Sequence, residues 1–464
     1  MSAGRLLMPA LRWSAGTGFA HEAEAIETAL ALGAGGFIIF GGTAPEVAAL
    51  TASLEARAGR PLLVGADLER GAGQQVAGLR ELPPPRALAS IAEPALVRAA
   101  GTITGEDARQ VGIGLVFAPV ADLDVEPANP IVQTRAFGDD PAIVAACVRE
   151  WIEGCQAAGA LACAKHYPGH GRTLADSHVE LPVVPDGASV LLDDELPFVA
   201  AVQAGVAAVM VAHVAYPALD PAGRPATLSP PILARLRRRG FDGLLVSDAL
   251  IMEAFAGGRR EAEAAIAAVH AGVDVLLYPA DVRAVHDALT RAAATDGHLA
   301  ARLAESAARI ERATARAAAA RPAPAPGLPG ADAIAERVLD DRLAGTGRLV
   351  PPIELVVVDD DLGGPYPPGP SDVLAAELAR LGVPLGPGGS RVVAVLAEPR
   401  GWKGRAGLGA GAQRALAAAR ANAALVALFA HPRLAPGEVP ILVAWHRQPL
   451  MQRAVARWIA RRAR

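Results

Sequence analysis

Residues 160–178 read ALACAKHYPGHGRTLADSH. The first half is a short apolar run and the second half is dense in titratable groups. Three of the ten histidines (His166, His170, His178) and one of the two lysines (Lys165) lie here. ALACAKHY (160–167) has no strict apolar/polar alternation, as expected for a parallel strand covered on both faces. Comparable runs recur along the chain: RLLMPAL (5–11), GGFIIFG (35–41), PLLVGAD (61–67), IGLVFAPV (113–120), AAVMVAHV (207–214), GLLVSDA (243–249) and DVLLYP (274–279). Helical patterns separate them, among them HEAEAIETALALG (21–33), PEVAALTASLEARAG (45–59), PAIVAACVREWIEGCQAAG (141–159), PPILARLRRRG (230–240) and RREAEAAIAAVHAG (259–272). Several end in glycine, a common helix stop. Eight such repeats predict a (β/α)₈ barrel, with Pro9 interrupting the first strand.

The Pro/Ala/Gly stretch ARPAPAPGLPG (320–330) reads as a stiff linker. The expected organisation is a barrel over 1–320, a linker over 321–334 and a second domain over 335–464. In that last segment IELVVVDDD (353–361), RVVAVLAEP (391–399), ALVALFAHP (424–432) and VPILVAWH (439–446) alternate with helical stretches, predicting a smaller three-layer α/β sandwich.

At 464 residues the chain is long enough for two cores, and 52% apolar with 20% charged residues describes a globule. A net charge of −4 and only 4% aromatic residues give no footprint for nucleic acid. The cysteines Cys147, Cys155 and Cys163 are odd in number and fit no metal spacing, so they read as small core residues. No apolar stretch is long enough to span a bilayer, and the N-terminal segment lacks the pattern of a secretory signal. The sequence therefore predicts a cytoplasmic protein with no membrane or nucleic-acid partner, and leaves the oligomeric state open.

In a barrel of this kind functional groups gather at the C-terminal strand ends. Those ends here carry Asp67, Lys165 with His166, His213, Asp248 and Tyr278, and the loop after the fourth strand carries Asp122, Asp124 and Arg135. A single polar strand end is usually a solvated turn; many converging on one face are not required by packing. Asp248, between LLVS and ALIM, suits either a helix N-cap or a nucleophilic carboxylate. Lys165 stands in a chain that otherwise uses arginine, which points to a position needing a compact ammonium. One acceptor carboxylate (Asp67) with donors Arg135, Lys165 and His166 is suited to gripping a polyol. The glycines of PGHGRTLA suggest a mobile connector, and Asp176 and His178, two apart, are either a general acid/base dyad or an Asp-Ser turn with an exposed histidine. No histidine spacing is diagnostic of a metal site.

KHYPGHGRTLADSH (165–178), the segment 208–255 and GIGLVFAPVADLDVEPANPIVQTRAFGDDP (112–141) together resemble glycoside hydrolase family 3, in its β-N-acetylglucosaminidase (β-hexosaminidase) branch of two-domain form. The resemblance implies a barrel followed by an α/β sandwich and no cofactor or metal. It assigns Asp248 as nucleophile, His178 assisted by Asp176 as acid/base, and Asp67, Arg135, Lys165, His166 and His213 as substrate-binding groups. It implies a retaining exo-β-N-acetylhexosaminidase acting through a covalent glycosyl-enzyme on small amino-sugar glycosides, as in peptidoglycan recycling. Another β-glycosidase or a β-N-acetylglucosaminide phosphorylase on the same scaffold is the alternative. The segment DLERGAGQQV (67–76) departs from the D-x-E-G-G-R-V usual in the family, which bears on glycone specificity.

Overall fold

The computed structural model describes residues 3–174, 181–252, 260–320, 327–345, 347–364, 368–437 and 439–463. Two compact units account for the chain: 1–80, 94–126 and 136–327 form the first, and 81–93, 127–135 and 328–464 form the second. The segments 81–93 and 127–135, which follow the third and fourth strands, thus cluster with the second unit, a division that strand periodicity does not reveal.

The first unit is an eight-stranded parallel barrel. Its strands are β1 (7–12), β2 (Gly36–Phe40), β3 (Leu63–Ala66), β4 (Leu115–Val116), β5 (Leu161–Tyr167), β6 (Ala208–Val211), β7 (Leu244–Ser247) and β8 (Leu276–Leu277). Pro9 divides β1 rather than ending it. Leu7 and Met8 pair with Leu276 and Leu277 of β8, and Ala10–Arg12 pair with Ile38, Ile39 and Phe40 of β2. Pro9 has no N–H to donate, but its carbonyl accepts from the Ile38 N–H. β7 meets β8 through the Val246–Val275 bridge, which closes the ring.

All seven residues of β5 are buried. Its apolar half lies inside the fold because each buried side chain of leucine size contributes about 1.5–3 kcal/mol. Beyond its two regular residues, β4 continues irregularly beside β5: Ala118 O and Pro119 O accept from the Cys163 and Lys165 N–H groups. The Ala118–Pro119, Lys165–His166 and Tyr167–Pro168 peptide bonds are cis. Inside the barrel Gly65 leaves room for the Phe117 ring, which a Cβ at that position would approach to 2.8 Å.

Helices follow the strands as the periodicity predicts. Helix Ala44–Ala58 opens with a capping box between Thr43 and Glu46, and helix Pro141–Ala157 is capped by Asp140, whose carboxylate accepts from the Ala142 and Ile143 N–H groups. Cys155 and Cys163 are buried and Cys147 half-buried, all as free thiols. Burial pushes the Cys147 thiol up to about 11, so it is an inert packing group at neutral pH.

The second unit holds a five-stranded sheet: β9 (Asp340–Leu343), β10 (Glu354–Asp359), β11 (Arg391–Leu396), β12 (Ala423–Phe429) and β13 (Ile441–Val443), in the order β9-β13-β12-β11-β10. β10 to β13 are parallel and β9 is antiparallel to β13. β9, of sequence DDRL, was not expected, because a charged and largely exposed edge strand leaves no hydrophobic signature. At the C-terminal ends of β10 and β11 a buried ion network forms. Arg447 bonds Asp359 and Asp361 at 2.7–2.9 Å, and Lys403 meets Asp361 at 2.5 Å and Asp360 at 3.2 Å. Lys403, the other of the chain's two lysines, is thereby committed to holding this domain together.

Candidate functional site

The C-terminal ends of β3, β5, β6 and β7 bring the candidate residues of the first unit to one end of the barrel. Lys165, 2% exposed, places Nζ 2.7 Å from both Asp67 Oδ1 and Glu69 Oε1. One ammonium therefore holds two carboxylates from the segment after β3. A guanidinium fork would not fit between two oxygens this close to one nitrogen, which accounts for the rare lysine. Glu69 escaped the sequence reading. Its signal is the D-x-E spacing of ADLERG, which puts two carboxylates on one side of an extended stretch.

His166 is oriented from beneath. Its Nδ1 lies 2.7 Å from Asp122 Oδ2, and its backbone N–H donates to Asp122 Oδ1 at 3.1 Å. A carboxylate only accepts, so Nδ1 carries the proton and Nε2 is the nitrogen without a partner among the described residues. Burial alone would push the Asp122 carboxyl up, but the neighbouring His166 ring and the hydrogen bonds from the His166 side chain and the His170 N–H hold it below its ordinary value.

Asp122 Oδ1 also accepts the His170 N–H at 2.7 Å. This corrects the expectation of a mobile connector for residues 168–173. The Tyr216 hydroxyl donates to Gly169 O at 2.7 Å, His170 Nδ1 meets Thr173 Oγ1 at 2.7 Å, and Arg172 Nε donates to Asp194 at 2.8 Å. A Cβ on Gly171 would sit 1.8 Å from Leu123 O. The glycine is there for close approach, not for motion. Burial drives His170 down to about 4, so its ring is neutral at physiological pH and serves as a packed anchor. Asp176 and His178 lie outside the described residues.

Asp248 follows β7 directly. It is half-buried, its N–H donates to Val211 O at 3.2 Å and its Oδ1 accepts the Ala249 N–H at 2.8 Å. Ser247 Oγ accepts the Leu277 N–H at 2.9 Å, tying this strand end to β8. His213 is fully buried, with Nδ1 2.8 Å from Thr227 Oγ1 and Nε2 3.2 Å from Ala249 O. Both ring nitrogens thus face the protein, and His213 braces the backbone next to Asp248. Arg135 belongs to the second unit, where its guanidinium donates to Ile131 O at 3.1 Å. In the divergent segment after β3, Gln74 accepts the Arg70 N–H at 2.9 Å and Gln75 accepts the Gly41 N–H at 3.3 Å, so both glutamines shape the loop.

Among the described residues no group of three His, Cys, Asp or Glu side chains is placed to hold a metal ion, and no helix is long and apolar enough to cross a membrane. Carboxylates, an ammonium and an oriented imidazole around one barrel mouth can bind hydroxyl groups and present a nucleophile.

Residues 22–313 match the model of the glycosyl hydrolase family 3 N-terminal domain. A β-N-acetylglucosaminidase/β-glucosidase of Cellulomonas fimi is 38% identical over 257 residues, covering 53% of this chain and 45% of that protein. A β-hexosaminidase of Thiobacillus denitrificans is 39% identical over 244 residues, covering 50% of this chain and 67% of the relative. The match thus spans about half the length of the Cellulomonas protein. A solved family 3 β-N-acetylglucosaminidase from a Paenibacillus species matches with a TM-score of 0.82 at 27% identity, covering 99% of this chain and 96% of that one. With the barrel, the five-stranded sheet of the second unit and the strand-end constellation described above, the chain belongs to glycosyl hydrolase family 3.

Proposed function

We propose that this chain is a retaining exo-β-N-acetylhexosaminidase that removes terminal N-acetylglucosamine from small β-glycosides. The observation that carries the reading is the fixed pair of polar groups at the β5 end. Lys165 clamped by Asp67 and Glu69, and His166 aimed by the buried Asp122, stand on the same barrel end as Asp248. The names of the β-hexosaminidase relatives support the same substrate class.

In this mechanism the acceptor carboxylates and the His166 Nε2 hold the sugar hydroxyls. Asp248 attacks the anomeric carbon and the leaving oxygen takes a proton from His178, whose basicity Asp176 supports. Water, activated by His178, then hydrolyses the glycosyl ester and frees Asp248. The half-buried Asp248 carboxylate, steadied by the Ala249 N–H, is suited to the nucleophile's part.

The test is a panel of p-nitrophenyl β-glycosides, assayed with and without phosphate. Turnover of the N-acetylglucosaminide without phosphate is expected. Turnover of the glucoside alone would reject the reading. Asp248→Ala should be inactive on the N-acetylglucosaminide and regain turnover with added azide, which would occupy the space of the missing carboxylate; an Asp248→Ala protein active without azide would remove the nucleophile assignment. A β-glucoside activity is the second reading, favoured by the double name of the Cellulomonas relative.

A further inference from the structure

The groups discussed so far come from β3, β5, β6 and β7. The remaining arc of the same barrel end, β8, β1 and β2, has a different character. Arg12 is the last residue of β1, Phe40 the last of β2, and Tyr278 follows β8. Barrel closure sets them side by side, because β1 pairs with β8 through Leu7–Met8 and with β2 through Ala10–Arg12.

The Arg12 guanidinium carbon lies 4.5 Å from the Phe40 ring centroid and 5.2 Å from that of Tyr278. Its Nε donates to the Tyr278 hydroxyl at 2.9 Å. The two rings are 5.9 Å apart and tilted by 44°. Tyr278 holds φ +50°, a left-handed backbone uncommon for an aromatic residue. Arg12 is exposed, yet its guanidinium plane is fixed by two rings and a hydrogen bond. An exposed arginine ordinarily loses rotamer freedom when it binds; here that ordering is already in place. Nη1 and Nη2 have no acceptor among the described residues, which leaves a planar fork of donors suited to a carboxylate or phosphate.

We propose that Arg12, held by Phe40 and Tyr278, is a subsite for an oxyanion on the leaving-group side of the cleaved bond. The inference rests on the proposed glycosidase function. The β3 side of the barrel end carries Asp67 and Glu69, which disfavour an anion there, whereas the arc from β8 to β2 offers an organised cation and aromatic surface; the carboxylate beside it, Glu22, accepts the Arg12 backbone N–H at 2.9 Å and leaves the guanidinium fork to a ligand. β8 is the neighbour of β7, whose end carries Asp248. The oxyanion has two possible sources. It is a carboxylate carried by the leaving group, or it is inorganic phosphate entering after the leaving group departs. In the second case a phosphate oxygen forms the bond to the anomeric carbon while the ester bond to Asp248 breaks. The electron pair of that bond returns to the carboxylate, and a glycosyl phosphate is released.

The experiment compares the wild type, Arg12→Met and Tyr278→Phe on 4-carboxyphenyl N-acetyl-β-glucosaminide and its methyl ester, and on the ester with added phosphate. If the leaving group supplies the oxyanion, the ratio of kcat/KM for acid over ester falls about tenfold in Arg12→Met, the loss of one charge-assisted fork, and by less in Tyr278→Phe. If phosphate supplies it, formation of glycosyl phosphate falls by a similar factor instead. Changes below twofold in both overturn the subsite. No turnover of the ester by the wild type counts against the glycosidase reading itself. Titration of wild type and Arg12→Met with inorganic phosphate and with 4-hydroxybenzoate then decides the subsite: binding of either that weakens in the variant supports it, and equal or absent binding of both overturns it.

Discussion

Replacing Lys165 by methionine tests how the two carboxylates of the site are held. Each lies 2.7 Å from Nζ, and the lysine side chain is 3% exposed. At an effective dielectric of about 20, a unit pair at that separation attracts by about 6 kcal/mol before desolvation is charged against it. The ammonium's own desolvation offsets much of this gross attraction. What remains in the variant is two carboxylates, from Asp67 and from Glu69 at 7% exposure, without their cation. Breaking a buried pair in this way costs roughly 3–5 kcal/mol. Lys165→Met should therefore lower urea stability by that amount and abolish turnover of the N-acetylglucosaminide. The triple variant Lys165→Met/Asp67→Asn/Glu69→Gln removes the stranded charges and keeps the shapes. It should recover most of the stability but no activity. If the triple variant were as unstable as the single one, uncompensated charge would not be the cause. If Lys165→Met kept wild-type stability, the clamp would not exist as described.

Other outcomes follow from the same geometry. Asp122→Ala strands three buried donors, the His166 N–H, the His166 Nδ1–H and the His170 N–H, and should cost roughly 3–6 kcal/mol in urea unfolding with loss of kcat/KM; Asp122→Asn should keep more stability than activity, since it can serve the two backbone donors but not the ring. Burial, set against the Arg172 ion pair, raises Asp194 from 3.8 to about 6, so the fold favours the protonated form: its contribution is complete below about pH 3.8 and is lost as pH rises through about 6. Asp194→Asn should therefore lose about 2 kcal/mol less stability than the wild type between pH 4.5 and pH 7, and an unchanged pH difference would contradict this. Gly171→Ala forces a Cβ against Leu123 O and should lower stability by about 2–4 kcal/mol while displacing the 168–173 anchor, measurable as reduced protection of its amides from hydrogen exchange.

The barrel was legible in the sequence because a strand buried on both faces must be apolar throughout, while its exit into a site may be polar. ALACAKHY displays that change within eight residues, and each of the eight predicted runs overlaps an observed strand. β9 was invisible for the opposite reason: its charged edge buries too little to leave a pattern. Identity of residues was enough to suggest Lys165, His166, Asp67 and Asp248 as a set, and the family resemblance assigned them roles. Their partners were beyond its reach. Asp122 lies 44 positions from His166, and Arg12 lies 266 positions from Tyr278. The first pair exists because β4 and β5 lie side by side in the sheet, and the second only because the ring closes β8 onto β1. The loop PGHGRT shows the same limit within a few residues. A glycine in sequence signals either conformational freedom or lack of space, and the chain alone does not distinguish them. The Leu123 carbonyl over Gly171 decides for lack of space, and with the hydrogen bonds given to Asp122 and Asp194 and received from Tyr216 it turns an expected mobile connector into a fixed base.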